Sequence, residues 1–245
     1  MARLFLLLSL FFCGRAAAQT TLTVPTADGP VAVKVYAAPG AAPRPTVLIL
    51  HGLGGTNPAP GYTSFAEALA AAGLDAWLFS YYSPADQKIM FAPGRDAHLA
   101  VYTARMPVWA RKIGEIADFS RTRKSSSGRV GLLGLSNGGF LAVGASALDP
   151  HVSAIVVFYG GIPGPLRDEI KHLPPLLALH GEADTVIPIA EGRALVDRAK
   201  ALGVEAELVV YPGVGHGFDF DERYDKAQEA RARAVTFLSE HLQVK

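Results

Sequence analysis

The stretch Gly134-Leu135-Ser136-Asn137-Gly138-Gly139 decides the fold of this chain. An apolar run, 129–133, leads into it, and small and apolar residues with a helical pattern, 140–145, follow it. A strand, a sharp glycine-flanked turn that carries a serine, and a helix form a nucleophile elbow, which raises the serine hydroxyl above a sheet. In a chain with 25 glycines the motif alone is weakly specific. The alternative is an ordinary glycine-rich turn with an exposed serine.

The composition is that of a globular chain with a sizeable core. Half of the 245 residues are apolar and 18% are charged, unlike a disordered segment. The formal net charge of +1 gives no long-range attraction for nucleic acid or anionic lipid, so we predict no nucleic-acid partner. No stretch beyond the N-terminal segment is long and apolar enough for a transmembrane helix, so we predict no stable membrane span.

The N-terminus has the form of a secretory signal peptide. Met1-Ala2-Arg3 is a short basic region, and 4–12 is an apolar region too short to span a bilayer. Ala16-Ala17-Ala18 has the small-x-small form of a cleavage site. We therefore predict that residues 1–18 are a signal peptide and that the protein is exported, to the periplasm or the medium.

Lipoprotein processing at Cys13 is the alternative to this cleavage. It is disfavoured because bulky Phe12 stands where a small residue is expected. Cleavage before Gln19 would remove the only cysteine of the chain. The exported protein would then have no disulfide, and its core would have to stabilise the fold.

Strands and helices alternate along the rest of the chain. Period-two alternation at 21–24 and 31–36 predicts an antiparallel edge hairpin. Further apolar runs predict strands at 46–50, 74–79, 130–133, 153–159, 175–180 and 205–211. The predicted helices are one with a capping-box form at 64–67 that ends at Gly73, and others at 108–123, 138–148, 189–202 and 222–242. This order predicts an α/β fold, a doubly wound, mostly parallel sheet with helices on both faces, in a single domain.

Three polar residues follow three different predicted strands. Ser136 follows the elbow strand, Asp184 follows the strand at 175–180, and His216 follows the strand at 205–211. Sites in such sheets lie beyond the carboxyl ends of the strands. The chain order Ser, Asp, His is the order that an α/β-hydrolase triad requires. The joint pattern is far more specific than the elbow alone.

On the basis of these residues, the chain resembles an α/β-hydrolase of the dienelactone hydrolase-like group. The resemblance covers roughly residue 31 to the C-terminus and rests on the motifs at 134–139, 180–188 and 211–218, with Phe158-Tyr159-Gly160-Gly161 also typical. It implies an α/β-hydrolase domain at 19–245 without a large lid. It also implies hydrolysis of a small-molecule carboxylic ester or lactone through an acyl-enzyme intermediate, with no cofactor. The enzymes that name the group use a cysteine nucleophile, whereas position 136 is serine, which points to its wider esterase side.

The roles of the three residues follow from their chemistry. Ser136 would be the nucleophile, His216 the base that takes its proton, and Asp184 the group that holds the imidazole tautomer. The backbone N–H groups of Asn137 and Leu53 would bind the oxyanion.

Each assignment has an alternative. Asp184 would otherwise be a turn residue ahead of Pro188, with Glu182 as a rival acid. His216 as a metal ligand lacks partners, because no zinc motif or cysteine cluster occurs, so we predict no metal. We predict that His51 packs or hydrogen-bonds within the oxyanion loop, and that His180 is structural.

Two tyrosines, Tyr82 and Tyr159, are candidates to line a substrate pocket, although core packing is the default for aromatic residues. The segment 81–106 contains several prolines and glycines, and we predict a loop that shapes this pocket, with a short helix around 96–102. Because the segment is too short for a lid domain, we expect an open or shallow site that leaves Ser136 uncovered.

Two other functions fit the same pattern. One is a peptidase of the prolyl-oligopeptidase type, although a large N-terminal propeller is absent. The other is a catalytically inactive binding module on the same fold. The sequence does not predict the oligomeric state.

Overall fold

The structure, a computed structural model, describes residues 18–41, 43–56, 60–221 and 223–243. The predicted signal peptide lies outside these residues except for its last residue, and so does Cys13. Export and the cleavage site therefore stay predictions. The strands are β1 (Ala18–Val24), β2 (Val31–Ala37), β3 (Arg44–Leu50), β4 (Asp75–Phe79), β5 (Ser126–Leu135), β6 (Val152–Phe158), β7 (Leu176–Gly181) and β8 (Ala206–Tyr211).

The helices are α1 (Pro60–Ala71), α2 (Pro84–Met90), α3 (Arg95–Arg121), α4 (Asn137–Leu148), α5 (Ile189–Ala201) and α6 (Asp225–Leu242). Short 3₁₀ turns occur at Gly164–Glu169 and Phe218–Phe220. In the described part of the chain, no helix has the length and apolar character that crossing a bilayer requires.

The eight described strands form one sheet in the order β1-β2-β4-β3-β5-β6-β7-β8. β2 pairs antiparallel with β1 and with β4, and all other neighbouring strands are parallel. The predicted edge hairpin and the doubly wound, mostly parallel sheet are confirmed. Because β3 and β5 to β8 are parallel, the loops that follow them emerge at one edge of the sheet.

The core has two halves, one on each face of the sheet. Successive side chains of a strand point to opposite faces, so Val47 and Ile49 of β3 pack into one half and Leu48 and Leu50 into the other. Buried residues of α1 and α6 cover the first face, and those of α3, α4 and α5 cover the second. The predicted helices on both faces are confirmed.

The predicted start of the first helix was wrong. α1 begins at Pro60, so Ser64 lies inside the helix and is not its cap. A capping box does occur at the start of α2, where the Ser83 hydroxyl accepts from the Asp86 N–H at 3.1 Å. The Asp86 carboxylate accepts from the Ser83 N–H at 2.9 Å in return.

The prediction of a loop over most of 81–106 was also wrong. α2 occupies its first part, and α3 runs for 27 residues through Pro107. A proline inside a helix costs about 3 kcal/mol because it removes one hydrogen bond and crowds the preceding turn. Burial of Met106 and Trp109 on either side of Pro107 opposes this cost. Trp109 also donates to Asp86 at 2.9 Å, which ties α3 to α2.

Candidate active site

The elbow joins β5 to α4 through a strained serine. Ser136 has φ 55° and ψ −119°, in a region that residues with a side chain rarely adopt. The glycines two residues before and after it have no room for side chains. A Cβ at Gly134 would lie 2.1 Å from the Gly138 carbonyl oxygen. A Cβ at Gly138 would lie 2.1 Å from the Leu50 carbonyl oxygen. The glycines of the motif are therefore required by close backbone contact.

Ser136, His216 and Asp184 form a continuous chain of hydrogen bonds. The Ser136 hydroxyl lies 3.0 Å from Nε2 of His216. The Nδ1 atom on the other side of the same ring lies 2.7 Å from Oδ2 of Asp184. The ring can therefore donate through Nδ1 and accept the serine proton through Nε2. The structure brings together the three residues that the sequence placed after three separate strands.

The loop that contains Asp184 fixes its carboxylate. Oδ1 accepts from the N–H groups of Val186 at 2.8 Å and Ile187 at 2.9 Å, which leaves Oδ2 to face His216. The side chain has no solvent exposure. Asp184 is thus both a turn residue and the partner of His216. Glu182, the rival acid, is exposed and accepts from the Gly213 N–H at 3.3 Å.

The two predicted oxyanion donors both line the cavity above Ser136. Among the described residues, neither the Leu53 nor the Asn137 N–H has a hydrogen-bond acceptor. Asn137 is the first residue of α4, where the end of the helix favours negative charge. The loop that carries Leu53 is held by the Gly52 N–H, which donates to the Tyr62 hydroxyl at 2.7 Å.

Two further histidines lie near this edge of the sheet. His51 is fully buried, and its ring stacks on Tyr81 at 3.9 Å. Its Nδ1–H donates to the Gly52 carbonyl at 2.7 Å, so the prediction that it packs within this loop is confirmed. Burial lowers the pKa of His51 to about 4. His180 is also buried, and its Nε2–H donates to the Ile187 carbonyl at 2.9 Å, which is a structural contact in the loop around Asp184.

The two candidate tyrosines lie in different places. Tyr159 lines the cavity, and its ring lies 4.4 Å from the ring of His216. Tyr82 is buried beside His51, with ring centroids 4.8 Å apart, and is not among the described residues that line the cavity. A substrate contact of either residue stays a prediction.

Asp219 is a site feature that the sequence analysis missed. It is fully buried and accepts a hydrogen bond from the hydroxyl of Tyr159, the residue on which His216 packs. Within the described residues its Oδ2 has no hydrogen-bond partner. Burial raises the pKa of Asp219 to about 6, although the bond from Tyr159 acts in the opposite direction. No sequence pattern marks Asp219, three residues after His216, as a buried acid, because burial depends on the packing of segments that are distant in the chain.

The cavity at this site has a volume of about 390 Å³, within the range of small-molecule sites. It is open, since Ser136 is only half-buried and Leu53 at the rim is 40% exposed. None of the described residues of 81–106 lines it, so this segment does not form the pocket wall as predicted. Phe91 of the segment packs behind the wall, against Gly55. The expectation of an uncovered Ser136 is met. Among the described residues, no group of three His, Cys, Asp or Glu side chains is placed to hold a metal ion.

Comparison with known proteins gives a family match over most of the chain. The model of the dienelactone hydrolase family matches residues 33–243. A Yersinia pestis protein named "Putative carboxymethylenebutenolidase" is 29% identical over 126 residues, which is 46% of this chain and 47% of that protein. The chain thus spans about half the length of that relative. A rice protein (Oryza sativa subsp. japonica) named "Probable inactive carboxylesterase" is 29% identical over 206 residues, 74% of this chain and 82% of that protein.

The fold also matches solved structures. A crystal structure of dienelactone hydrolase from Anabaena variabilis ATCC 29413 superposes with a TM-score of 0.78, over 94% of this chain and 100% of that chain. The sequence identity is 22%. At that identity the likeness shows a shared fold, and a fold alone does not assign an activity.

Proposed function

This chain belongs to the dienelactone hydrolase family, and on that basis we propose that it is a serine hydrolase of carboxylic esters or lactones. The observation that carries the proposal is the hydrogen-bond chain from Ser136 through His216 to Asp184 at the floor of an open cavity. Packing alone does not require a serine at a strained, glycine-flanked turn, nor a histidine and an aspartate hydrogen-bonded in line with it. The name of the Yersinia relative refers to a carboxyl-bearing lactone, and such a lactone is therefore one candidate substrate of this chain.

In the first half of the proposed reaction, the ester carbonyl lies against Ser136. His216 Nε2 takes the hydroxyl proton as Oγ bonds to the carbonyl carbon, and the carbonyl π electrons move to the oxygen. The N–H groups of Leu53 and Asn137 stabilise the oxyanion. When the tetrahedral intermediate collapses, the bond to the alcohol oxygen breaks, and His216 gives that oxygen its proton. The product is an acyl ester of Ser136.

The second half repeats these steps with water. His216 removes a proton from water as the water oxygen bonds to the acyl carbon, and then returns a proton to Oγ of Ser136. Asp184 stabilises the imidazolium that forms in each half. The buried carboxylate suits this role, because two backbone N–H groups and the His216 Nδ1–H hold it in one orientation.

The test is hydrolysis of a series of 4-nitrophenyl esters by the wild-type protein and by Ser136→Ala. We expect kcat/KM to fall by roughly 10⁴-fold or more in the variant, because the nucleophile and its base act as one unit. A fluorophosphonate probe should label the wild-type protein at Ser136 and leave the variant unlabelled. Equal rates in the two proteins, or no labelling of the wild type, would contradict the proposal. The second outcome would instead favour an inactive protein, as the name of the rice relative suggests for that protein.

A further inference from the structure

The walls of the candidate active-site cavity are almost entirely apolar. Side chains that face it include those of Leu53, Tyr62, Val186, Ile187 and Phe220. The polar side chains among its described lining belong to Ser136 and His216, which the proposed reaction uses, and to Asn137, Tyr62 and Tyr159. None of the described lining residues is a lysine, an arginine, an aspartate or a glutamate. A charged group on a substrate would therefore meet no counter-ion in the cavity.

Two acids and one cation lie behind these walls. The side chain of Asp184 has no solvent exposure, and Asp219 is fully buried below Tyr159. Arg231 lies nearby in α6, but its guanidinium packs over the Phe65 ring at 5.2 Å and does not line the cavity. A carboxylate that entered the cavity would lose water without gaining a cation, and would approach two buried acids. Burial of a charge without a partner is strongly unfavourable.

The mouth of the cavity is apolar as well. Val186 is 61% exposed and Leu53 is 40% exposed, and both line the opening. Exposed apolar side chains at the rim of a pocket give an apolar ligand further surface to cover. The volume of about 390 Å³ gives room for an extended acyl group that continues across this rim.

We propose that this site selects neutral esters with an apolar acyl group and discriminates against esters that carry a carboxylate on that group. The selection rests on the proposed ester hydrolase function. Neutral esters with an apolar acyl group are a narrower class than carboxylic esters and lactones in general. A carboxyl-bearing lactone is excluded, because its charge would lie in this apolar cavity.

The experiment compares three 4-nitrophenyl esters at pH 7.5: the hexanoate, the mono-adipate and the methyl adipate. The first two have the same six-carbon acyl chain, and the mono-adipate ends in a carboxylate. The methyl adipate is larger and neutral, so it separates charge from size. We expect kcat/KM for the mono-adipate to be roughly 100-fold below that for the hexanoate, and that for the methyl adipate to be within about tenfold of it. A mono-adipate value within about tenfold of the hexanoate value would overturn the proposal.

A pair of variants locates the effect at the cavity. Val186→Arg places a cation at the mouth, whereas Leu99→Arg places the same charge on α3 outside the cavity lining. The two positions are equally exposed, at 61% and 62%. We expect Val186→Arg to raise the ratio of mono-adipate to hexanoate kcat/KM by roughly two- to fivefold, as one exposed ion pair would. Leu99→Arg should leave the ratio unchanged. An equal rise in both variants, or none in Val186→Arg, would overturn the proposal.

The outcomes for the two proposals are distinct. If no ester is hydrolysed and the fluorophosphonate does not label the protein, the proposed function is wrong. If the fluorophosphonate labels Ser136 and the mono-adipate is cleaved as well as the hexanoate, the function stands and only the substrate selection is wrong.

Discussion

The loops after β3 and β8 each carry a histidine next to a glycine at the same edge of the sheet, but they hold it in opposite environments. His51, after β3, is fully buried, stacks on Tyr81 and donates to its neighbour's carbonyl. The side chain of His216, after β8, is 21% exposed and lies between Ser136 and Asp184. A buried imidazole without a carboxylate partner stays neutral, whereas one that faces an acid and a hydroxyl is placed to carry a proton between them. The position of a histidine after a strand therefore does not suit it to act as a base. Its hydrogen-bond partners do, and on that ground His216 is the proposed base.

The strongest test of this contrast is to replace each histidine. In His216→Gln we expect kcat/KM to fall by roughly 10⁴- to 10⁶-fold, because no base remains to take the Ser136 proton. The measurement is steady-state hydrolysis of 4-nitrophenyl hexanoate, with circular dichroism to show that the variant is folded.

The matched control is His51→Phe, which keeps a ring to stack on Tyr81. We expect a loss of activity of roughly tenfold or less, and a loss of about 0.5–1.5 kcal/mol in the free energy of unfolding. The buried Gly52 carbonyl loses the His51 donor and keeps the Gly55 N–H, which donates to it at 3.2 Å. Because the pKa of His51 is about 4, any fall of kcat/KM with a midpoint above pH 5 should persist in this variant. A loss as large as that of His216→Gln would show that the two histidines act together.

A second test separates the two acids of the β7 loop. Asp184→Asn replaces the acceptor for the His216 Nδ1–H with an amide that can turn its donor toward the ring, which favours the wrong tautomer. We expect kcat to fall by roughly 10⁴-fold, less than for the base itself. Glu182→Gln, at the exposed neighbouring acid, should retain nearly full activity. If the Glu182 variant loses more kcat than the Asp184 variant, the acid has been assigned to the wrong residue.

The smallest expected effect concerns the acid behind the β8 loop. Burial raises the pKa of Asp219 from 3.8 to about 6, so between these values the folded protein holds a proton that the unfolded chain has released. The stability that this proton provides is present in full below about pH 4 and is lost as the pH rises through 6. Asp219→Asn keeps an acceptor for the Tyr159 hydroxyl and has no such titration.

The free energy of unfolding of Asp219→Asn, relative to the wild type, should therefore rise between pH 4 and pH 7, by up to about 3 kcal/mol. Urea unfolding across this pH range measures it. Parallel curves for the two proteins would mean that Asp219 ionises as freely in the folded state as in the unfolded chain.

The sequence predicts the strands of the sheet more closely than it predicts α3, the helix that precedes the elbow strand. Strand patterns depend on local alternation and apolar runs, and they predicted every strand of the sheet to within a few residues. The course of α3 through Pro107 was missed, because a local penalty for proline was outweighed by burial against distant strands. The start of α2 was readable in principle, since Ser83-Pro84-Ala85-Asp86 has the capping-box form with proline at the first helical position.

The sequence by itself determined the fold class, the elbow and the order of Ser136, Asp184 and His216. These features depend on short-range chemistry, namely glycine at close backbone contacts and polar residues directly after apolar strands. Only the tertiary structure decided that His51 is buried while His216 faces Ser136, that Asp219 lies beneath Tyr159, and that the cavity walls are apolar. Burial and charge environment are set by segments far apart in the chain, so no local pattern specifies them.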